Sequence, residues 1–128
     1  MAITETDLAS ERRKYPRWNI DLPVKYLTKA SFRKYGRTAN ASEGGLLVHL
    51  PEEMKVGQDL TLQLFFVSGS ELNTLEATVQ VVWKGVHVKR DWTWDYRTGV
   101  SFKHISPGDM TKLKDFLVSL AQKETYTS

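Results

Sequence analysis

At 128 residues the chain amounts to one domain, long enough to bury a core without covalent staples. It contains no cysteine, which excludes disulfides, thiolate metal sites and a cysteine nucleophile. Net charge is +3 but unevenly spread: residues 1–40 carry nine Lys or Arg against four Asp or Glu, the remainder nine against eleven. An anionic partner, phosphate-bearing in the first instance, is therefore expected at the N-terminal third.

The opening "MAITETDLASERRK" has no apolar stretch of the kind a secretory leader needs, and no segment approaches bilayer-spanning length. A cytoplasmic chain without membrane insertion is expected, whether whole or cut from a larger protein. Residues 3–13 hold good helix formers around Leu8 and Ala9, and Pro16 stops any continuation by disfavouring the α region at Tyr15. Arg13 and Arg17 then belong to an extended strap, not to one helix face. Residues 1–19 are read as a short helix and basic arm.

Strand-like runs follow over 20–105. "NIDLPVKYL" places Ile20, Leu22 and Val24 on one parity, with Pro23 marking an edge or bulge. "SFRKYGRTANAS" is polar and ends in turn chemistry, and "GGLLVHL" is a short apolar run. "DLTLQLFFV" alternates Leu60, Leu62 and Leu64 against Thr61 and Gln63. "LEATVQVVWKGVHV" puts Ala77, Val79, Val81 and Trp83 on one parity, and "DYRTGVSFKHI" is the last run. Turn segments such as "KVGQD" and "VSGSELNT" separate them. Six short strands in a chain of this size predict an all-β antiparallel barrel or sandwich with an ancillary helix. That helix is expected over 106–122, with Ser106 as N-cap, Pro107 first and Asp109 in the first turn. Met110, Leu113, Phe116, Leu117 and Leu120 give it one apolar stripe for packing.

Catalytic signals are few. His49, His87 and His104 fall in different strands, outside any metal-ligand spacing, and are read as ordinary strand or surface residues without acidic neighbours. No P-loop, GxSxG or GxGxxG is present. Asp91 and Asp95 flank "WTW" and would pair as acid and base only across a cleft. Trp92 and Trp94 share a strand parity, as hairpin packing or as a partner patch. The chain is read as a non-enzyme with no metal and no cofactor.

Two short motifs remain. The stretch "ERRKYPRWNIDLPVKY" packs Arg12, Arg13, Lys14 and Arg17 just ahead of the first strand. "NASEGG" at 40–45 reads as turn residues, or as an amide and a hydroxyl two apart on extended backbone, facing one side, with a glycine allowing a flat ligand close approach. Formally Asn40-Ala41-Ser42 is also a glycosylation sequon. RxxxR at Arg13 and Arg17, followed by NxSxxG at Asn40, Ser42 and Gly45, resembles the PilZ domain, the bacterial cyclic di-GMP receptor family. The "YRTGVSFKHIS" run and the closing helix extend the resemblance over 11–122.

The resemblance implies a six-stranded antiparallel barrel and a receptor for cyclic di-GMP. Arg13 and Arg17 would clasp phosphates and guanines, the planar guanidinium suiting both. Asn40 and Ser42 would read guanine, Gly45 would give clearance, and Arg12 would stack on a second, intercalated cyclic di-GMP. Trp83 is read either as a stacking platform for guanine or as an inward core tryptophan. The arm would fold over the ligand and signal to an unidentified downstream protein. The competing expectations are a ligand-free interaction domain and a nucleic-acid-binding barrel. The net acidic balance after residue 40 argues against nucleic acid.

Overall fold

The computed structural model describes residues 16–28 and 34–127, with side chains as far as 122. The helix expected over 3–13, Arg12 and Arg13 lie outside the described residues. Among the described residues six strands, β1 (Trp18–Leu27), β2 (Lys34–Ala41), β3 (Gly45–Leu50), β4 (Asp59–Ser68), β5 (Glu71–Val88) and β6 (Trp94–Ile105), precede one helix, α1 (Pro107–Thr127). The strands close into a barrel in the order β1-β2-β3-β6-β5-β4, each pair antiparallel and β4 returning to β1. Of the two architectures that alternation allows, the barrel is the one formed.

Alternation builds the interior. Leu60, Leu62, Leu64 and Phe66 on β4 are all buried, as are Leu46, Val48 and Leu50 on β3 and Ala77, Val79 and Val81 on β5. Burying these branched and long aliphatic side chains removes their apolar surface from water, at roughly 1.5–3 kcal/mol for each large one. Pro23 sits just before β1 begins to pair with β4 at Val24, so its missing N–H costs the ladder nothing on that side. The β4–β5 hairpin extends further than the sequence suggests. Ser68 pairs with Glu71, and Gly69 takes a φ of 64°, the conformation a two-residue hairpin turn demands.

The helix closes one end of the barrel. Ser106 Oγ accepts the Asp109 N–H at 3.1 Å, confirming the cap. The Asp109 carboxylate in turn accepts the Glu76 N–H of β5 at 3.1 Å, and Lys112 donates to the Thr74 carbonyl at 3.3 Å. Leu113 and Leu117 enter the core, and Phe116 meets Phe66 with ring centroids 5.0 Å apart. The helix continues to Thr127, past the expected 122, because no glycine or proline follows Leu120 to stop it. Among the described residues no helix is long and apolar enough to cross a membrane.

Bulges decide what faces outward. Thr38 pairs with Val48 but Asn40 with Leu47, leaving Ala39 as an extra residue in β2. Likewise Val81 pairs with Val100 but Trp83 with Gly99, leaving Val82 extra in β5. An added residue shifts side-chain parity by one. Thr38 and Ala41 therefore both point inward, with Asn40 turned out, and Trp83 leaves the parity of Val81 to stand 42% exposed. The inward reading of Trp83 is corrected: it is a surface residue.

Candidate functional site

The two bulges set up one row of residues across the outer face. Asn19 of β1 pairs with Asn40 of β2, Asn40 with Leu47 of β3, Leu47 with Gly99 of β6, and Gly99 with Trp83 of β5. Leu47 is only 6% exposed yet stands outside the core cluster, as its parity opposite Leu46 and Val48 requires. It forms an apolar floor between two polar strands. At one end of the row the Trp83 indole lies across Gly99 so closely that a Cβ there would meet Cε2 at 2.5 Å. The Arg97 guanidinium lies 5.8 Å from the centre of the Trp83 ring, within cation–π range. At the other end Arg17 Nη1 donates to Asn40 Oδ1 at 2.9 Å, across 23 residues of sequence. The basic arm and the second motif are thus joined by a direct side-chain bond.

The "NASEGG" segment is the tight β2–β3 connection. The Ser42 N–H donates to the Gly45 carbonyl at 2.9 Å, and the Ser42 hydroxyl accepts the Gly44 N–H at 3.1 Å. The Gly44 carbonyl accepts the Phe102 N–H at 3.0 Å, so the turn is held against β6 as well. Ser42 is buried, its hydroxyl committed to shaping the turn. Gly45 is compelled by β6. A Cβ there would run into the Val100 carbonyl and lie 3.0 Å from Ser101 Cα, and backbone on both sides leaves no room to yield. The structure therefore brings Arg17, Asn40 and Trp83 to one face, while Ser42, expected to face the same side as Asn40, is buried in the adjoining turn with Gly45 packed against β6.

The sequence reading of the histidines and of "WTW" requires correction. Trp92 lies in the β5–β6 turn with a φ of 68° and is 82% exposed, whereas Trp94 opens β6, so the two do not share a strand. Asp91 shapes that turn by accepting the Thr93 N–H and hydroxyl, which hold its carboxyl below the usual value. Asp95 is elsewhere occupied. His87 pairs directly with Asp95 across β5 and β6, and His49 pairs with Arg97 across β3 and β6. As a result His49 Nδ1 and His87 Nδ1 lie 3.2 and 3.1 Å from the same Asp95 Oδ1. The two imidazoles meet edge to face with centroids 4.6 Å apart. Partial burial is the largest influence on His49 and pushes its pKa below the ordinary value. The cluster borders a groove of about 740 Å³ walled by Ile20, Tyr35, Arg37, Pro51 and Trp94. No local signal marks it, because the contact depends on cross-strand register between segments 38 and 46 residues apart. Arg97 and Gly99 also went unassigned, although both lie in the "YRTGVSFKHIS" run.

Fold and face together define a small barrel that carries a polar, basic and aromatic platform outside its core, reached by an arginine-bearing arm. The chain belongs to the PilZ domain family, whose model matches residues 11–119. No curated protein matches it. Among solved structures it is similar to the inhibitor of motility MotI/DgrA of Bacillus subtilis, with a TM-score of 0.72 at 19% identity over 88% of this chain and 52% of that one. It is similar also to the PilZ domain of Escherichia coli YcgR with c-di-GMP, with a TM-score of 0.72 at 16% identity over 91% of this chain and 96% of that one. The K. pneumonia MrkH–c-di-GMP complex gives 0.69 at 16% identity over 91% and 56%. At these identities the likeness is one of fold. The chain spans about half the length of MotI/DgrA and MrkH, and nearly all of the YcgR PilZ domain.

Proposed function

We propose that this domain is a cyclic di-GMP receptor module and not an enzyme. The observation that carries the reading is the Arg17–Asn40 bond, which links the arginine motif to the NxSxxG motif on the face that also presents Trp83. The related YcgR PilZ domain and MrkH, both solved with c-di-GMP, lend the ligand its identity. In this reading Arg13 and Arg17 clasp the phosphodiesters, and Asn40 offers its amide to a guanine edge once Arg17 turns to the ligand. Trp83, steadied by Arg97, supplies a stacking surface. Ser42 and Gly45 act by fixing the β2–β3 turn against β6, which holds Asn40 in its place between β1 and β3. The space a Gly45 side chain would need is filled by the β6 backbone, not by ligand. Arg12 stacks on a second, intercalated molecule, giving two ligands per chain. The arm orders over the ligand and passes the signal to a downstream protein in the cytoplasm.

Isothermal titration of the domain with cyclic di-GMP tests this. Saturable binding with two ligands per chain is expected, abolished in an Arg13→Ala/Arg17→Ala variant and reduced to one ligand in Arg12→Ala. A single-stranded oligonucleotide at the same salt should give no heat. Absence of heat with cyclic di-GMP would refute the receptor reading.

A further inference from the structure

We propose that His49, His87 and Asp95 form a binding site for one divalent transition-metal ion of the zinc class, open on its fourth side to the groove. The site lies on the same outer face as the proposed nucleotide platform, further along β6, and does not rest on the receptor reading. Its donors come from three adjacent strands, β3, β5 and β6, so the barrel itself fixes their separation. Asp95 lies four residues from Gly99 along β6, about 13 Å at strand rise.

The donor set and spacing suit the ion. Zinc takes imidazole nitrogen and carboxylate oxygen at about 2.0–2.2 Å, so the donors of a tetrahedral site stand about 3.3–3.5 Å apart. Both His–Asp distances, 3.2 and 3.1 Å, are already close to that edge, and all three donor atoms lie within 4.8 Å of one another. The remaining His–His edge closes by small rotations of the imidazoles, and the His87 side chain is 41% exposed and free to make them. Both nitrogens that face the carboxylate are Nδ1, on the side where an ion would sit. Facing the Asp95 carboxylate, each Nδ1 carries the proton, so metal binding moves that proton to Nε2 and frees the Nδ1 lone pair, with no net loss of a proton from a neutral ring.

Two histidines and one carboxylate leave a coordination position for water or for a donor arriving through the groove, the arrangement of an open site and not of a closed structural one. Two cations oppose binding. Arg97 pairs with His49 across β3 and β6 and its charge acts on that imidazole, while Lys89 Nζ lies 3.7 Å from Asp95 Oδ2 and competes for the carboxylate, with its side chain half exposed and able to swing away. That competition supplies a test that a mere hydrogen-bonded triad would not satisfy.

The experiment uses the full chain without an affinity tag or nucleotide, dialysed against micromolar Zn²⁺, with retained metal measured by mass spectrometry and Co²⁺ absorption reporting the geometry. One equivalent of zinc per chain is expected. His87→Ala and Asp95→Asn should each weaken retention at least tenfold, His104→Ala should leave it unchanged, and Lys89→Met should tighten it severalfold. His87 is exposed enough that its variant should melt with the wild type, which separates lost ligation from lost fold. Zinc retention by His87→Ala equal to the wild type, or no retention by the wild type, would overturn the site.

Discussion

Substituting Gly99 by alanine isolates the role of Trp83 without touching a functional side chain. The new Cβ would sit within the indole, 2.5 Å from Cε2, so the ring must leave the barrel surface and its contact with Arg97. The fold should absorb this. Trp83 is already 42% exposed, and the lost cation–π contact is worth about 0.5–1 kcal/mol at such a site. Alanine in a strand recovers roughly 0.5–1 kcal/mol relative to glycine, so the two changes largely cancel and the melting temperature should move by only a few degrees. Ligand affinity should not be spared. An aromatic platform under a base contributes about 1–3 kcal/mol, which predicts a weakening of about 5- to 150-fold for cyclic di-GMP. The assay is a titration cycle of wild type, Gly99→Ala, Trp83→Ala and the double variant. If Gly99 acts through Trp83, the double variant binds no worse than Trp83→Ala alone. Unchanged affinity in Gly99→Ala, or two losses that add in full, would refute the reasoning.

Gly45→Ala presses instead on the β6 backbone, which has no side-chain freedom to yield, and should cost at least about 2 kcal/mol with a clear drop in melting temperature. Arg17→Ala and Asn40→Ala should show a coupling of about 0.5–1.5 kcal/mol in ligand-free stability, read from a denaturant double-mutant cycle. Tyr26 is 1% exposed and donates its hydroxyl to Glu52 at 3.0 Å, so Tyr26→Phe should cost about 1 kcal/mol at neutral pH. Burial, ahead of Glu52, pushes the Tyr26 phenol above its usual value; the resulting stabilisation is complete below the unfolded phenol pKa of about 10 and is lost as pH rises through the folded value. The wild-type advantage over Tyr26→Phe, followed by melting from pH 8 to 11, should therefore shrink above about pH 10.

How far the sequence could be read depends on whether a residue's neighbours are local. The strands of β4 and the stripe of the helix are legible because period two and period 3.6 are properties of adjacent residues, and Leu60, Leu62, Leu64, Leu113 and Leu117 all fall where those periods put them. The cap at Ser106 is legible for the same reason: the hydroxyl and the N–H it accepts are three residues apart. Trp83 is the instructive case, left open between core and surface by alternation alone. Nothing in "VQVVWKG" distinguishes a regular strand from one with an extra residue at Val82, since valine suits both, yet that one residue decides whether a tryptophan fills the core or stands on the outer face. Ala39 hides the same decision in β2, and Asn40 reaches the outer face only because of it. Spacing alone put Asn40 and Ser42 on one side, whereas Ser42 is buried in the turn, and the bulge that turns Asn40 outward left no trace in the hydrophobic pattern. His49, His87 and Asp95 lie further from view still, because their meeting requires the order β3-β6-β5 and the register of both pairings together. Closing the barrel fixes that register, since a slip in any one pairing would carry Val48, Val81 or Val100 out of the core. The interior packing that alternation reveals is therefore also what holds the outer-face clusters that alternation cannot reveal.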